Sequence, residues 1–122
     1  MNQGTVRRLQ ARVGITFLLP ASPSIEIEFV VDTGFEGALT LPPEAVAALG
    51  LPFFQEIDAN LADDNVVKAD IHSAMIQWHG RELPVAVLAL GRRPLLGTAL
   101  LEGFHLGVDF LEDGVVTLSQ LA

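Results

Sequence analysis

The residues of this sequence best suited to chemistry are Asp32, Thr33 and Gly34, which follow one another directly. They come after residues 25–31, where apolar side chains at every second position predict a half-buried strand. Apolar surroundings at the end of such a strand disfavour a charged carboxylate, whereas nearby backbone N–H and hydroxyl donors favour it. We therefore expect Asp32 to serve as a general acid or base, under a roof of apolar side chains and in a tight turn that Gly34 permits.

Three adjacent residues are weak evidence by themselves, because Asp and Gly are common in ordinary turns. Two neighbouring features strengthen the interpretation. A second apolar run occupies residues 38–41, and a glycine element, Leu95-Leu96-Gly97, precedes a helical stretch and a closing hairpin. With these features the sequence resembles the retropepsin-like aspartic peptidases, especially their small stand-alone prokaryotic members. The resemblance extends from about residue 9 to the end of the chain.

The resemblance implies a role for each of these residues. The aspartate of the family's Asp-Thr-Gly triplet is the catalytic acid and base, which here is Asp32. Thr33 would supply the hydroxyl that braces two active-site loops against each other, and Gly34 would open the turn. Leu96 and Gly97 would match the apolar and glycine positions of the element that passes behind the catalytic loop.

The resemblance also implies a flap, a hairpin that closes over a bound peptide. Its tip would be formed by Ala62, Asp63, Asp64 and Asn65. Flaps of this family are often rich in glycine at the tip, and this tip has none. The sequence departs from the family pattern at this position.

Peptide hydrolysis without a metal or a covalent intermediate needs one carboxylate to take a proton from water and one carboxylic acid to donate a proton. Two carboxyl groups about 3 Å apart can share a proton in this way. The chain has one Asp-Thr-Gly triplet, and we interpret Asp109, followed by Phe110, as a solvated residue within a strand. We therefore predict a homodimer in which each chain supplies Asp32 for cleavage of a peptide or protein, with no cofactor.

Length and composition favour one domain that spans residues 1–122, half of which are apolar. The formal net charge of -8 leads us to expect no nucleic-acid partner and to expect acidic peptides to be disfavoured as substrates. The absence of cysteine excludes disulfides and thiolate zinc sites. No apolar run is long enough to cross a bilayer, and we expect a cytoplasmic protein without a membrane partner.

The beginning of the chain allows two interpretations. Two arginines precede a short apolar run at residues 13–19, as in a signal peptide. Gly14 and Thr16 interrupt that run, and the alternation favours a strand over residues 9–19. We favour the strand, paired with the next one across a turn at residues 20–23.

The remaining pattern predicts a mostly β, barrel-like fold with one or two short helices. The resemblance implies that this is a small closed acid-protease-like barrel. The predicted elements after the triplet are a helix at 42–50, a hairpin of strands 51–62 and 66–78, a strand at 83–90, a helix at 98–104, and a final hairpin of strands 105–111 and 115–119.

Other chemistries are less well supported. His72, His79 and His105, with Asp70 on the strand of His72, match no metal-ligand spacing, so we interpret the histidines as structural and expect no metal. Neither a Gly-x-Ser-x-Gly elbow nor a phosphate-binding Gly-Lys-Ser/Thr loop is present. The alternative that remains open is a catalytically inactive dimer of the same fold that binds a peptide or a protein.

Overall fold

A computed structural model describes residues 2–60 and 63–122, so Ala62 of the expected flap tip lies outside the described residues. In chain order the elements are β1 (Asn2–Arg7), β2 (Gln10–Leu18), β3 (Ile25–Val31), β4 (Leu39–Leu41), α1 (Pro43–Leu49), β5 (Phe53–Asn60), β6 (Val66–Trp78), β7 (Arg81–Ala89), β8 (Leu95–Leu96), α2 (Thr98–Leu101), β9 (Phe104–Val108) and β10 (Val115–Gln120). The mostly β class and the two short helices are confirmed.

The described strands form one sheet in the order β5-β6-β7-β4-β8-β3-β2-β1-β10-β9. An additional pairing joins β6 to β2, so that β6, β7, β4, β8, β3 and β2 form a ring. Outside this ring, β5 pairs with β6, and β1, β10 and β9 continue the sheet from β2. β5 and β9 are therefore the end strands of the sheet.

The antiparallel pair of β2 and β3 leads directly to Asp32 and confirms the predicted pairing of these strands. Along β2, fully buried residues alternate with half-buried ones, as its apolar alternation requires. Phe17 on β2 and Phe29 on β3 are both completely buried, and their rings stack with centroids 5.9 Å apart. This aromatic pair anchors in the core the strand that ends next to Asp32.

β1 was not predicted. It pairs with both β2 and β10, and its Val6 is completely buried. The turn into β2 uses Arg8 and Leu9 with positive φ angles of 52° and 59°, without the glycine or asparagine that normally signals a two-residue hairpin. Because Val6 is the only large apolar residue in Asn2–Arg7, tertiary pairing rather than local pattern determines this strand.

The last third of the chain differs from its predicted boundaries. α2 ends at Leu101, since Gly103 turns the chain with a φ of 85°. β9 ends at Val108, so Asp109 lies just after the strand and not within it, and it is exposed. Among the described residues no helix has the length and apolar character needed to span a membrane.

Replacement of Phe29 by alanine should lower the free energy of unfolding by about 3–5 kcal/mol, because it leaves a cavity in the core. Phe54→Ala is the matched control; that ring is 65% exposed, and its loss should change stability by less than about 0.5 kcal/mol. Urea denaturation at one protein concentration measures both. Equal effects of the two substitutions would contradict the assigned core.

Candidate functional site

The backbone of Asp32 is held by the neighbouring strand β8. β3 and β8 are parallel, with Val31 beside Leu96, and the N–H of Asp32 donates to the carbonyl oxygen of Leu96 at 2.9 Å. Two residues earlier along the chain in each case, the N–H of Val30 donates to the carbonyl oxygen of Pro94 at 3.0 Å. These two hydrogen bonds fix the register of β3 relative to β8 and hence the position of Asp32.

The turn after Asp32 is organised by its own carboxylate. The Gly34 N–H donates to Asp32 Oδ1 at 2.9 Å, and the Phe35 N–H donates to the Asp32 carbonyl oxygen at 3.1 Å. Gly34 lies in this turn without a positive φ. A Cβ at Gly34 would instead lie 3.2 Å from Asp32 Oδ1, so this glycine leaves room beside the carboxylate.

Phe35, which the sequence analysis did not single out, joins the turn to the start of α2. Its carbonyl oxygen accepts the Thr98 N–H at 2.8 Å and the Thr98 hydroxyl at 3.3 Å. The hydroxyl of Thr98 therefore does not cap α2 but binds the loop that follows Asp32. A Cβ at Gly97 would lie 2.2 Å from the Gly37 carbonyl oxygen and 2.5 Å from the ring of Phe35, so only glycine fits there.

Asp32 and Thr33 line a cavity of about 630 Å³. Its apolar wall includes Leu9, Leu95 and Phe110. Asp32 is only half-buried and Thr33 is exposed, so a single chain does not provide the apolar roof that the sequence predicted. Thr33 makes no side-chain hydrogen bond to any described residue of its own chain.

Arg92 and Arg93 line the same cavity, and the sequence analysis did not identify them. They lie in the loop between β7 and β8, which turns at Gly91 with a φ of 82°. The buried Thr40 hydroxyl donates to the Arg93 carbonyl oxygen at 3.3 Å. The pair Arg-Arg before proline was the only local signal, and its position beside Asp32 depends on the sheet topology.

The expected flap hairpin consists of β5 and β6, and its described tip residues are Asp63, Asp64 and Asn65. The tip is stabilised by Asn65, whose backbone N–H and side-chain amide donate to the Asp63 carboxylate at 3.2 and 2.7 Å. Asp64 has a φ of 64°, so an aspartate adopts the left-handed conformation that glycine would supply elsewhere. None of these three residues is among those that line the Asp32 cavity.

The three histidines lie on β6, in the turn between β6 and β7, and on β9. His72 Nδ1 is 2.8 Å from the Leu51 carbonyl oxygen, His105 is exposed on β9, and His79 stacks on Phe104 with ring centroids 4.2 Å apart. The described residues contain no group of three His, Cys, Asp or Glu side chains that could hold a metal ion.

No protein-family model matches this chain, and no curated protein matches it significantly in sequence. Among solved structures, the chain is similar to a retropepsin-like aspartic protease from Rickettsia conorii, with a TM-score of 0.56 and 23% sequence identity. The match covers 93% of this chain and 87% of the Rickettsia protein. The chain therefore has a retropepsin-like fold.

Gly97→Ala should lower the free energy of unfolding by about 3 kcal/mol, because the added methyl group meets backbone atoms that cannot move without disturbing the Asp32 loop. In the matched control, Gly107→Ala, the nearest atom is the Thr117 hydroxyl oxygen at 2.8 Å, which can rotate away. That change should cost less than about 1 kcal/mol. Urea denaturation measures the free energy of unfolding of both variants. Similar losses in the two variants would contradict the close contact of Gly97 with the Gly37 backbone.

Burial lowers the pKa of His79, and its Nε2 has no hydrogen-bond partner among the described residues. The unfolded chain then binds the proton more tightly, so stability is fully present above the unfolded value of about 6.5 and is lost as the pH falls below it. His79→Asn, which suits the φ of 50° at this position, should lose less stability than the wild type between about pH 7 and pH 5. Urea midpoints across this range test it; parallel curves for both proteins would contradict it.

Proposed function

We propose that this protein is a homodimeric aspartic endopeptidase, in which Asp32 of two chains activates a water molecule to hydrolyse a peptide bond. The observation that carries the proposal is the position of Asp32 on the wall of the large cavity of a chain with a retropepsin-like fold. The absence of cysteine agrees with the reducing cytoplasm that we propose as its compartment.

The number of carboxylates supports the dimer. Among the described residues, Asp32 is the only acidic side chain that lines the cavity, and Asp109 is exposed and does not line it. The proposed hydrolysis, without a metal or a covalent intermediate, uses one carboxylate as base and one carboxylic acid as acid. A second copy of the chain, related by a two-fold axis, would supply the other Asp32.

In the proposed reaction the ionised carboxylate removes a proton from water while the protonated one donates to the carbonyl oxygen of the peptide. The water oxygen bonds to the carbonyl carbon and forms a tetrahedral intermediate. The C–N bond then breaks as the carboxyl that took the water proton passes it to the leaving nitrogen, while the other carboxylate takes a hydroxyl proton from the intermediate. This yields a carboxylic acid and an amine and restores one ionised and one protonated carboxyl group. Gly34, whose N–H donates to Asp32 Oδ1, orients the carboxylate for these transfers.

The surface beside the cavity suits a second copy of the chain. Leu9 and Phe110 line the cavity and are 68% and 62% exposed, and the neighbouring Leu111 is 70% exposed. A cluster of exposed large apolar side chains commonly marks a protein interface. Strand β9, an end strand of the sheet, contributes Leu106 and Val108 to the same cavity. In the dimer, the exposed Thr33 hydroxyl would brace the partner's loop.

The β5–β6 hairpin is the proposed flap. It extends from the ring of strands, and β5 has a free edge to which an extended peptide could add as a further strand. Its tip, which includes Asp63, Asp64 and Asn65, is held by the hydrogen bonds of Asn65 to Asp63. We propose that the hairpin closes over the substrate as a unit.

Asp32→Asn should lower kcat/KM for the susceptible members of a diverse peptide mixture by at least about 100-fold between roughly pH 4 and pH 7, because amide nitrogen cannot exchange the proton. The variant should fold and dimerise like the wild type. Mass spectrometry of the products and light scattering of the proteins measure the two properties. Cleavage by folded Asp32→Asn dimers would refute the proposed reaction.

Mixed dimers provide a sharper test of the shared site. Wild type and Asp32→Asn refolded together in equal amounts should retain about one quarter of the activity of the same total amount of wild type, since only wild-type pairs carry both carboxylates. Independent active sites would leave about one half. If folded wild-type dimers cleave nothing, the peptidase is refuted in favour of the peptide-binding or protein-binding dimer.

A further inference from the structure

We infer that Arg92 and Arg93 make the site selective for peptides with an acidic side chain close to the scissile bond. This inference rests on the proposed peptidase function and identifies its substrate class. It begins from the cavity, which the two arginines line together with Asp32, the only acidic residue among its described lining residues. Two formal positive charges therefore face one carboxylate in the space where the peptide would bind.

Neither arginine is paired with an acidic residue of its own chain. The chain has 15 acidic residues against 7 Lys and Arg, so partners are abundant. The ion pairs of the described residues use Arg7, Arg12 and Lys68, whereas Arg92 and Arg93 are exposed and make none. Their guanidinium groups are thus available to a carboxylate from outside the chain.

The loop that carries the arginines is fixed at both ends. Before it, the Leu90 N–H donates to the Leu41 carbonyl oxygen at 3.0 Å. After it, Pro94 accepts the N–H of Val30, and the Leu95 N–H donates to the buried Thr40 hydroxyl at 3.1 Å. The backbone that presents the charges is therefore held in register with the strand that presents Asp32.

This register limits where the acidic side chain lies in the substrate. Val30 is paired with Leu95, and Asp32 and Arg93 lie two residues from that pair in opposite directions. At about 3.3 Å per residue the two positions are at most about 13 Å apart along the strands, the length of about four residues of an extended peptide. The acidic residue is accordingly within about four residues of the scissile bond.

The net charge of -8 led us to expect acidic peptides to be disfavoured. That expectation concerns the summed field, which acts on approach and is screened beyond about 8 Å at physiological ionic strength. A carboxylate in the cavity is in direct reach of the arginines, so the local attraction determines which bound peptide is preferred. Because both arginines are exposed, water weakens the attraction, and we expect a preference of about three- to tenfold.

The test compares pairs of peptides that differ only by Glu or Gln at one position within about four residues of the cleaved bond. Their ends are acetylated and amidated, so that the side chain carries the only added carboxylate. For wild type, kcat/KM should be about three- to tenfold higher for the Glu peptide of at least one pair. The ratio should fall toward one in the double variant Arg92→Gln/Arg93→Gln.

Arg81→Gln is the matched control, because Arg81 is also exposed and without an acidic partner in the described chain but does not line this cavity. It should keep the wild-type preference. Raising the salt from about 0.1 M to about 1 M, which shortens the screening length from roughly 10 to roughly 3 Å, should reduce the preference in wild type and in Arg81→Gln alike.

Equal rates for all Glu and Gln pairs in the wild type would overturn the inference, as would a preference that survives in the double variant. Failure of the peptidase itself is distinguishable. If the wild type cleaves no peptide, the proposed function is refuted. Binding of fluorescently labelled versions of the same peptide pairs to Asp32→Asn then still tests the role of the arginines. The inference is supported if Asp32→Asn binds the Glu peptides more strongly than the Gln peptides and if this difference disappears when Arg92→Gln and Arg93→Gln are also introduced. Equal binding of the Glu and Gln peptides overturns the inference.

Discussion

The hydrogen bond from the Asp32 N–H to the Leu96 carbonyl oxygen, 2.9 Å long, is the constraint on which the rest of the site depends. It belongs to the short parallel pairing of β3 and β8, which also determines the positions of the arginine loop and of the start of α2. Gly97, directly after Leu96, packs against Phe35 so closely that a methyl group would not fit. One strand of two residues thus connects the acid, its turn and the cationic side of the cavity.

A single chain holds half of what the proposed chemistry requires. Its cavity has one carboxylate, its Thr33 hydroxyl is unused within the described chain, and large apolar side chains lie exposed beside it. In the proposed two-fold dimer the exposed apolar side chains would be covered, and Asp32 and Thr33 would meet the partner chain or the substrate. The proposed dimer would account for both the single triplet and the exposed apolar surface.

The net charge of the protein and the charge inside the cavity have opposite signs. The protein as a whole is acidic, yet the cavity that contains Asp32 is lined by two arginines. Screening weakens interactions with distant charges much more than contacts inside the cavity. In the proposed recognition of a bound peptide, the arrangement of a few side chains would therefore matter more than the net charge.

Much of the architecture is determined locally. The sequence predicted the alternation along β2 and β3, the long strand β6, and the proline and glycine at the two ends of α1. Each of these features depends on side-chain periodicity, turn chemistry or helix capping within a few residues. The candidate acid Asp32 was found in the same way, from a strand that runs into an Asp-Thr-Gly turn. These features need no knowledge of distant neighbours.

Tertiary structure alone decided the rest. β1 exists because β2 and β10 flank it, and the roles of Phe35 and of Arg92 and Arg93 follow from contacts with residues far away in the sequence. Position 97 likewise requires glycine because its backbone passes close to the carbonyl oxygen of Gly37, 60 residues earlier in the sequence. The periodicity of apolar residues indicates which face of a helix or strand is buried. It does not indicate which distant element covers that face.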